Sequence, residues 1–198
     1  MAFATTTIQR WDVVAGKRLE PDLSFQEKLD IWKLRFNDSG NVLTAETSNG
    51  PVSRLFDPKT GDALSPKIES EVVVSPDGKL FAAVGQTKKV TVQEVGTNKT
   101  VGTLTPELFD GTVHRLAFSP DGKMAVTFSF LNDRPVVPFL AFVAGRNRLK
   151  VWSTTTGKVL AQSDVIDGGV IQVRMSPDGK SFASSADATV QLWKMPAP

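Results

Sequence analysis

Aspartate is the first residue type in this chain whose placement could do chemistry. Three copies of one block carry it: Ser75-Pro76-Asp77-Gly78-Lys79, Ser119-Pro120-Asp121-Gly122-Lys123 and Ser176-Pro177-Asp178-Gly179-Lys180. A degenerate fourth copy is Asn37-Asp38-Ser39-Gly40-Asn41. Carboxylates at matched positions could serve as general acids or bases. Their neighbours argue for a different role. Proline presets φ for the second position of a type I turn, aspartate suits the next, and glycine takes the left-handed conformation that follows. The block therefore reads as a tight hairpin turn with a bulge, and its aspartates as turn residues.

Little other chemistry is on offer. The chain has 198 residues, no Cys, no Tyr and one His, His114. A disulfide framework, a Cys-based zinc site and any centre needing two histidines are excluded. There is no P-loop, dinucleotide fingerprint, nucleophile elbow or EF-hand loop, and no metal or cofactor is expected. With 23 Lys+Arg against 21 Asp+Glu the charge is only +2, too small to point to nucleic acid as a partner. The longest apolar stretch, Pro135 to Gly145, is far short of the roughly 20 residues of a membrane span. Met1 to Thr5 lacks a basic region before an apolar core, so no secretory signal is read. The expectation is a cytoplasmic chain without a membrane partner. Two glycosylation sequons, at Asn37 and Asn98, fall in turns.

The elements around the blocks repeat as well. Each block follows a short apolar strand, Ile31 to Phe36, Val72 to Val74, Val113 to Phe118 or Val170 to Met175. Each precedes a second strand, Val42 to Glu46, Leu80 to Gly85, Met124 to Ser129 or Ser181 to Ser185. A further strand ends in an aromatic residue and runs into a turn, as in Thr7 to Asp12 with Ala15-Gly16-Lys17, Val52 to Asp57 with Thr60-Gly61-Asp62, and Leu149 to Ser153 with Thr156-Gly157-Lys158. Weaker copies are Val90 to Glu94 and Val190 to Lys194. The blocks begin at 37, 75, 119 and 176, so the spacings are 38, 44 and 57 residues. These bracket the about 40–45 residues of a four-stranded propeller blade.

This pattern of strand, SPDGK turn, strand, V-x-L-W-D and T-G-K resembles the WD-repeat (WD40) β-propeller family. Trp11-Asp12 matches the WD dipeptide outright, while Phe56-Asp57, Trp152-Ser153 and Trp193-Lys194 depart by one residue. The family's Gly-His dipeptide is missing from every copy. The regular SPDGK spelling looks bacterial-like. The resemblance implies an all-β fold: a β-propeller of four-stranded antiparallel blades, about four of them, incomplete or open. Calling the strands a to d outward from the channel, residues 1–24 form a partial c–d blade. Full blades run 29–68, 69–105 and 112–163, and a blade at 169–195 lacks strand d, for 17 strands in all. The register sets aside a helix over residues 23–35, whose Phe25, Leu29 and Trp32 would share a face. The function implied is a non-enzymatic protein–protein interaction scaffold or sensor module of a larger propeller, with self-association through open blade edges as a further expectation.

Two places are candidate partner-binding sites. The excess length of the third repeat, Phe130 to Asn147, lies between strands b and c and would project from the b–c face. Its Arg134, Pro138, Phe139, Phe142 and Arg146 combine aromatic and Arg residues of the kind common in hot spots. Alternatively, this segment folds back on its own blade or lengthens the b–c hairpin. The second place is the strand-a column Trp32, Ser70, His114 and Ile171 at the channel mouth, where Trp32 and His114 would meet a ligand or peptide. The alternative function is a channel that binds a small molecule, or a propeller enzyme. The inner-wall set Lys33, Glu71, Arg115 and Gln172 is mixed and offers no obvious acid–base pair, although Arg35 and Arg174 make parts of it basic and suit an anionic partner.

Overall fold

The structure is a computed structural model and describes residues 7–25, 30–48, 50–84, 89–107, 110–131, 146–164, 166–167, 169–186 and 189–196. The repeated turns show how local sequence sets the fold. The Ser75 hydroxyl donates to the Asp77 carboxylate at 2.7 Å and accepts from the Leu80 amide at 2.9 Å. The same carboxylate accepts from the Lys79 amide at 3.1 Å, and Gly78 sits at φ 75°. Ser119 with Asp121 and Ser176 with Asp178 repeat this arrangement. Burial alone would raise the Asp77 and Asp121 carboxyls, but the serine hydroxyl and lysine amide outweigh it and hold both below the usual range. For Asp178 the Ser176 hydroxyl leads the same lowering. These aspartates are turn residues.

Among the described residues every regular element is a strand. β1 (Thr7–Asp12) and β2 (Lys17–Ser24) form a two-stranded sheet. β3 (Ile31–Phe36), β4 (Leu43–Thr47) and β5 (Ser53–Phe56) form a three-stranded one. β6 (Glu71–Val74), β7 (Leu80–Val84), β8 (Val90–Glu94) and β9 (Thr100–Leu104) make a four-stranded meander. β10 (Asp110–Phe118), β11 (Met124–Leu131), β12 (Arg146–Ser153) and β13 (Val159–Gln162) make another, and β14 (Ile166–Asp167) also pairs with β12. β15 (Val170–Met175), β16 (Ser181–Ala186) and β17 (Thr189–Lys194) end the chain. Among the described residues all pairings are antiparallel, and no sheet closes on itself.

Among the described residues the strands number seventeen, by a compensation. The expected fourth strand of the β3–β5 sheet is reduced to two isolated bridges, Ser53 with Ile68 and Phe56 with Ala63. Between them Leu55 donates its amide to the Ser65 hydroxyl at 3.0 Å, and the following Pro66 has no N–H to give. The added element is β14, which continues the outer edge of β12 past β13. The b–c insertion is also narrower than its sequence suggests. Phe130 pairs with Asn147 and the flanking strands run to Leu131 and from Arg146, so both shoulders belong to the hairpin. Of the helical alternative, residues 26–29 lie outside the described residues, while Leu23 and Ser24 are in β2 and Ile31 and Trp32 in β3.

Apolar side chains from adjacent sheets meet in four cores, taken in chain order. Leu23, Phe25, Leu43 and Phe56 join the first sheet to the second. Leu55, Val42, Val72 and Phe81 join the second to the third. Val90, Leu104, Leu116, Phe118 and Trp152 join the third to the fourth. Phe128, Val151, Val173 and Phe182 join the fourth to the fifth. Arg10 adds a polar clasp at the first junction, donating to the carbonyls of Lys59 at 2.6 Å and Pro21 at 2.9 Å. The turns touch in series too. Asn37 donates to the Pro76 carbonyl at 3.0 Å, and a Cβ on Gly122 or Gly179 would lie 3.3 Å from Leu80 or 3.0 Å from Pro120.

Candidate binding channel

The innermost strand of each of the last four sheets, β3, β6, β10 and β15, faces a common channel. It consists of two chambers. The wider, about 620 Å³, lies toward the β4–β5 loop and is walled by residues including Trp32, Lys33, Glu46, Glu71, His114 and Arg115. The narrower, about 290 Å³, lies toward the SPDGK turns and includes Asn37, Asp38 and Pro76. Arg35, Val73, Leu116, Val173 and Arg174 border both chambers, so each inner strand supplies part of the waist between them. The alternation of a strand explains why: every second residue of an inner strand points into the channel or back into an inter-sheet core.

Charge is distributed unevenly around the wide chamber. On one side Glu46 accepts from Arg35 and lies 3.3 Å from the Lys33 ammonium, and Arg35 also reaches Glu71 at 3.6 Å. Lys33 and Glu46 are directly opposite each other in the β3–β4 register. On the other side, Arg115 donates through Nε to the Ile171 carbonyl and through Nη1 to the His114 carbonyl at 2.7 Å. Arg174 has one long contact, 3.4 Å, to the Val173 carbonyl. Neither meets a carboxylate among the described residues.

His114 stacks face to face on Phe130, with ring centroids 4.0 Å apart. Its two ring nitrogens are buried and find no well-formed hydrogen bond among the described residues. Burial first, and then the adjacent Arg115 charge, push the imidazole down to about 4, against a smaller opposing effect of the Val170 backbone. It is therefore a neutral, largely apolar part of the wall at neutral pH.

Trp32, His114 and Ile171 all line the wide chamber, and Trp32 is 65% exposed at its edge with the Lys33 ammonium 5.5 Å from its ring. Ser70, the fourth member of that sequence column, is buried instead, its hydroxyl donating to the Val84 carbonyl at 2.7 Å. Arg146 opens β12, paired in register with Asp167. Arg134, Pro138, Phe139 and Phe142 lie outside the described residues. Sequence reasoning missed Glu46 and the stacking of Phe130, placed in the insertion, on His114. The opposed charges at Lys33 and Glu46 were a usable cross-strand signal once the register was assumed; the His114–Phe130 stack spans two strands and had none.

The WD40 family model (WD domain, G-beta repeat) matches residues 160–194, which run from β13 through β17. The matched unit thus begins on the outer edge of one sheet and includes the whole of the next. No curated protein sequence matches the chain. Among solved structures it is similar to "KlHsv2 with loop 6CD replaced by a Gly-Ser linker", a β-propeller, with TM-score 0.69 and 13% identity over 96% of this chain and 57% of that one. The chain spans a little over half the length of that structure. A repeat of the WD40 family thus lies at residues 160–194, and the fold along the chain is that of a β-propeller.

Proposed function

We propose that the chain is a non-enzymatic protein-interaction scaffold or sensor module, a segment of a larger propeller, that docks a protein or peptide at the mouth of the wide chamber. The observation that carries this reading is the exposed Trp32 at the edge of an open chamber of about 620 Å³. A large, rigid aromatic beside polar groups is the usual anchor of an interface. Both wall carboxylates are engaged by cations, which leaves them poor acid–base partners for a substrate. The blades are assigned to residues 29–68, 69–105 and 112–163, flanked by partial blades at 1–24 and 169–195, and the residence to the cytoplasm. No helix among the described residues is long and apolar enough to cross a membrane.

The test is selection of peptides from a random displayed library on the chain. Enriched peptides are expected to lose binding to Trp32→Ser while the melting temperature stays unchanged. Enrichment that is equal on Trp32→Ser and wild type would overturn the docking site. The second reading, a small-molecule site, is favoured by the chamber volume, which lies in the usual ligand-pocket range of about 300–1,000 Å³.

A further inference from the structure

We propose that Arg115 and Arg174 form a receptor for a carboxylate group on the docked ligand. This rests on the docking reading above and specifies its chemistry.

The argument is one of unbalanced charge in a shared cavity. Four cations, Lys33, Arg35, Arg115 and Arg174, border the wide chamber with two carboxylates, Glu46 and Glu71. Both carboxylates are drawn to the β3 side, where Lys33 and Arg35 hold Glu46 and Arg35 approaches Glu71. The β10–β15 side keeps two guanidiniums whose acceptors are backbone carbonyls alone among the described residues. A carbonyl dipole satisfies an N–H but leaves the net charge uncompensated. An anion is the ligand that removes that imbalance.

Arg115 is also positioned before a ligand arrives. Nε is held by a carbonyl of β15 and Nη1 by one of its own strand. Its Nη2 edge makes no hydrogen bond among the described residues. Pinning a long side chain in advance removes ordering entropy that binding would otherwise cost. The planar fork of a guanidinium matches the two oxygens of a carboxylate. Arg174 stands at the waist, so it meets whatever reaches the floor of the wide chamber, and Gln172 on the same strand lines the wall above it.

The chemistry has two possible sources, a peptide side chain and a free dicarboxylate, and the experiment has an arm for each. Fluorescein-labelled hexaglutamate is titrated by anisotropy, and free glutarate by thermal shift, against wild type, Arg115→Gln, Arg174→Gln, the double variant and the exposed control Lys158→Gln. The expected result is peptide binding that weakens at least tenfold in the double variant and less than twofold in the control. Peptide binding equal in all variants overturns the receptor while leaving the docking site standing. Glutarate binding that depends on both arginines, without peptide binding, keeps the receptor and overturns peptide docking. Binding of neither probe to wild type overturns the receptor. Should a glutamine variant fail to fold, arginine Nε–Hε NMR signals of the wild type give the second readout. Two shifted signals on adding glutarate support the receptor, and none overturns it.

Discussion

The Lys150 ammonium lies 2.6 Å from the Asp110 carboxylate, and both side chains are sealed from water. The pair links β12 to the start of β10 within one sheet. Arg148 approaches the other Asp110 oxygen at 3.3 Å, and the Glu107 amide donates to the carboxylate at 3.0 Å. Removing Asp110 leaves the buried Lys150 ammonium only the exposed Glu107 carboxylate at 3.4 Å, and breaking such a buried pair costs about 3–5 kcal/mol. Asp110→Ala is therefore expected to destabilise by that amount in urea unfolding, and Asp110→Leu with Lys150→Met to recover most of it. A loss under about 1 kcal/mol in the single variant would show that the charge is not trapped.

Backbone contact between sheets makes a second prediction. A Cβ on Gly102 would stand 1.9 Å from the Thr154 carbonyl oxygen, and one on Gly157 would stand 2.2 Å from that of Thr103. The β9 edge and the 154–157 turn thus meet main chain to main chain. Gly102→Ala should lower stability by about 2 kcal/mol or more, since neither carbonyl can swing aside as a side chain would. Gly16→Ala is the control, with φ 62° but nothing within 4 Å. It carries only the left-handed backbone cost of about 1–2 kcal/mol. Equal melting temperatures for Gly102→Ala and wild type would refute the close approach.

Acid should act on His114 before it acts on the turns. The unfolded chain takes up a proton here near the ordinary 6.5, whereas the folded imidazole waits until about 4. The folded state binds fewer protons across that window, so stability is full above 6.5 and falls as pH drops toward 4. With partial exposure discounted the loss is on the order of 2 kcal/mol. His114→Phe keeps the stack on Phe130 and removes the titration, so its melting temperature should change less between those pH values. The turn aspartates follow the opposite rule for depressed acids, losing their contribution only below their ordinary 3.8. Parallel pH curves for both proteins between 6.5 and 4 would remove His114 from the account.

Self-association is the fourth expectation. Trp32, Leu34 and Phe36 alternate on one face of β3, and Trp32 and Phe36 are 65% and 62% exposed. At the far end Leu192 is 82% exposed on β17, beside Val190. Uncovered apolar faces next to unpaired strand edges invite further pairing. Light scattering should show mass rising with concentration, and Phe36→Ser with Leu192→Ser should reduce it. A wild-type monomer at every concentration would contradict this.

Much of the fold was legible in the chain because the turns are spelled by residues that act locally. Ser75, Asp77 and Gly78 fix their hairpin with bonds that span no more than five residues. The strands alternate by the same short-range logic. The failures are long-range. Nothing near Ser65 announces that its hydroxyl replaces a backbone partner of Leu55, and nothing near Lys150 announces a carboxylate forty residues upstream. In the channel, Trp32 and His114 could be located by counting along strands, but the division of Arg35 from Arg115 into neutralised and uncompensated cations depends on which carboxylates the sheets bring round.

The cores that join only consecutive sheets also dictate how the molecule comes apart. Each sheet leans on the one before and the one after, and the touching turns reinforce the same order. Such an array behaves as a one-dimensional chain of units with nearest-neighbour coupling. Amide protection should then be graded, lowest in β1–β2 and β15–β17, which pack against one sheet each among the described residues, and highest in the meander β6–β9 between them. Fraying is expected to begin in the sheets that pack against one neighbour rather than two among the described residues.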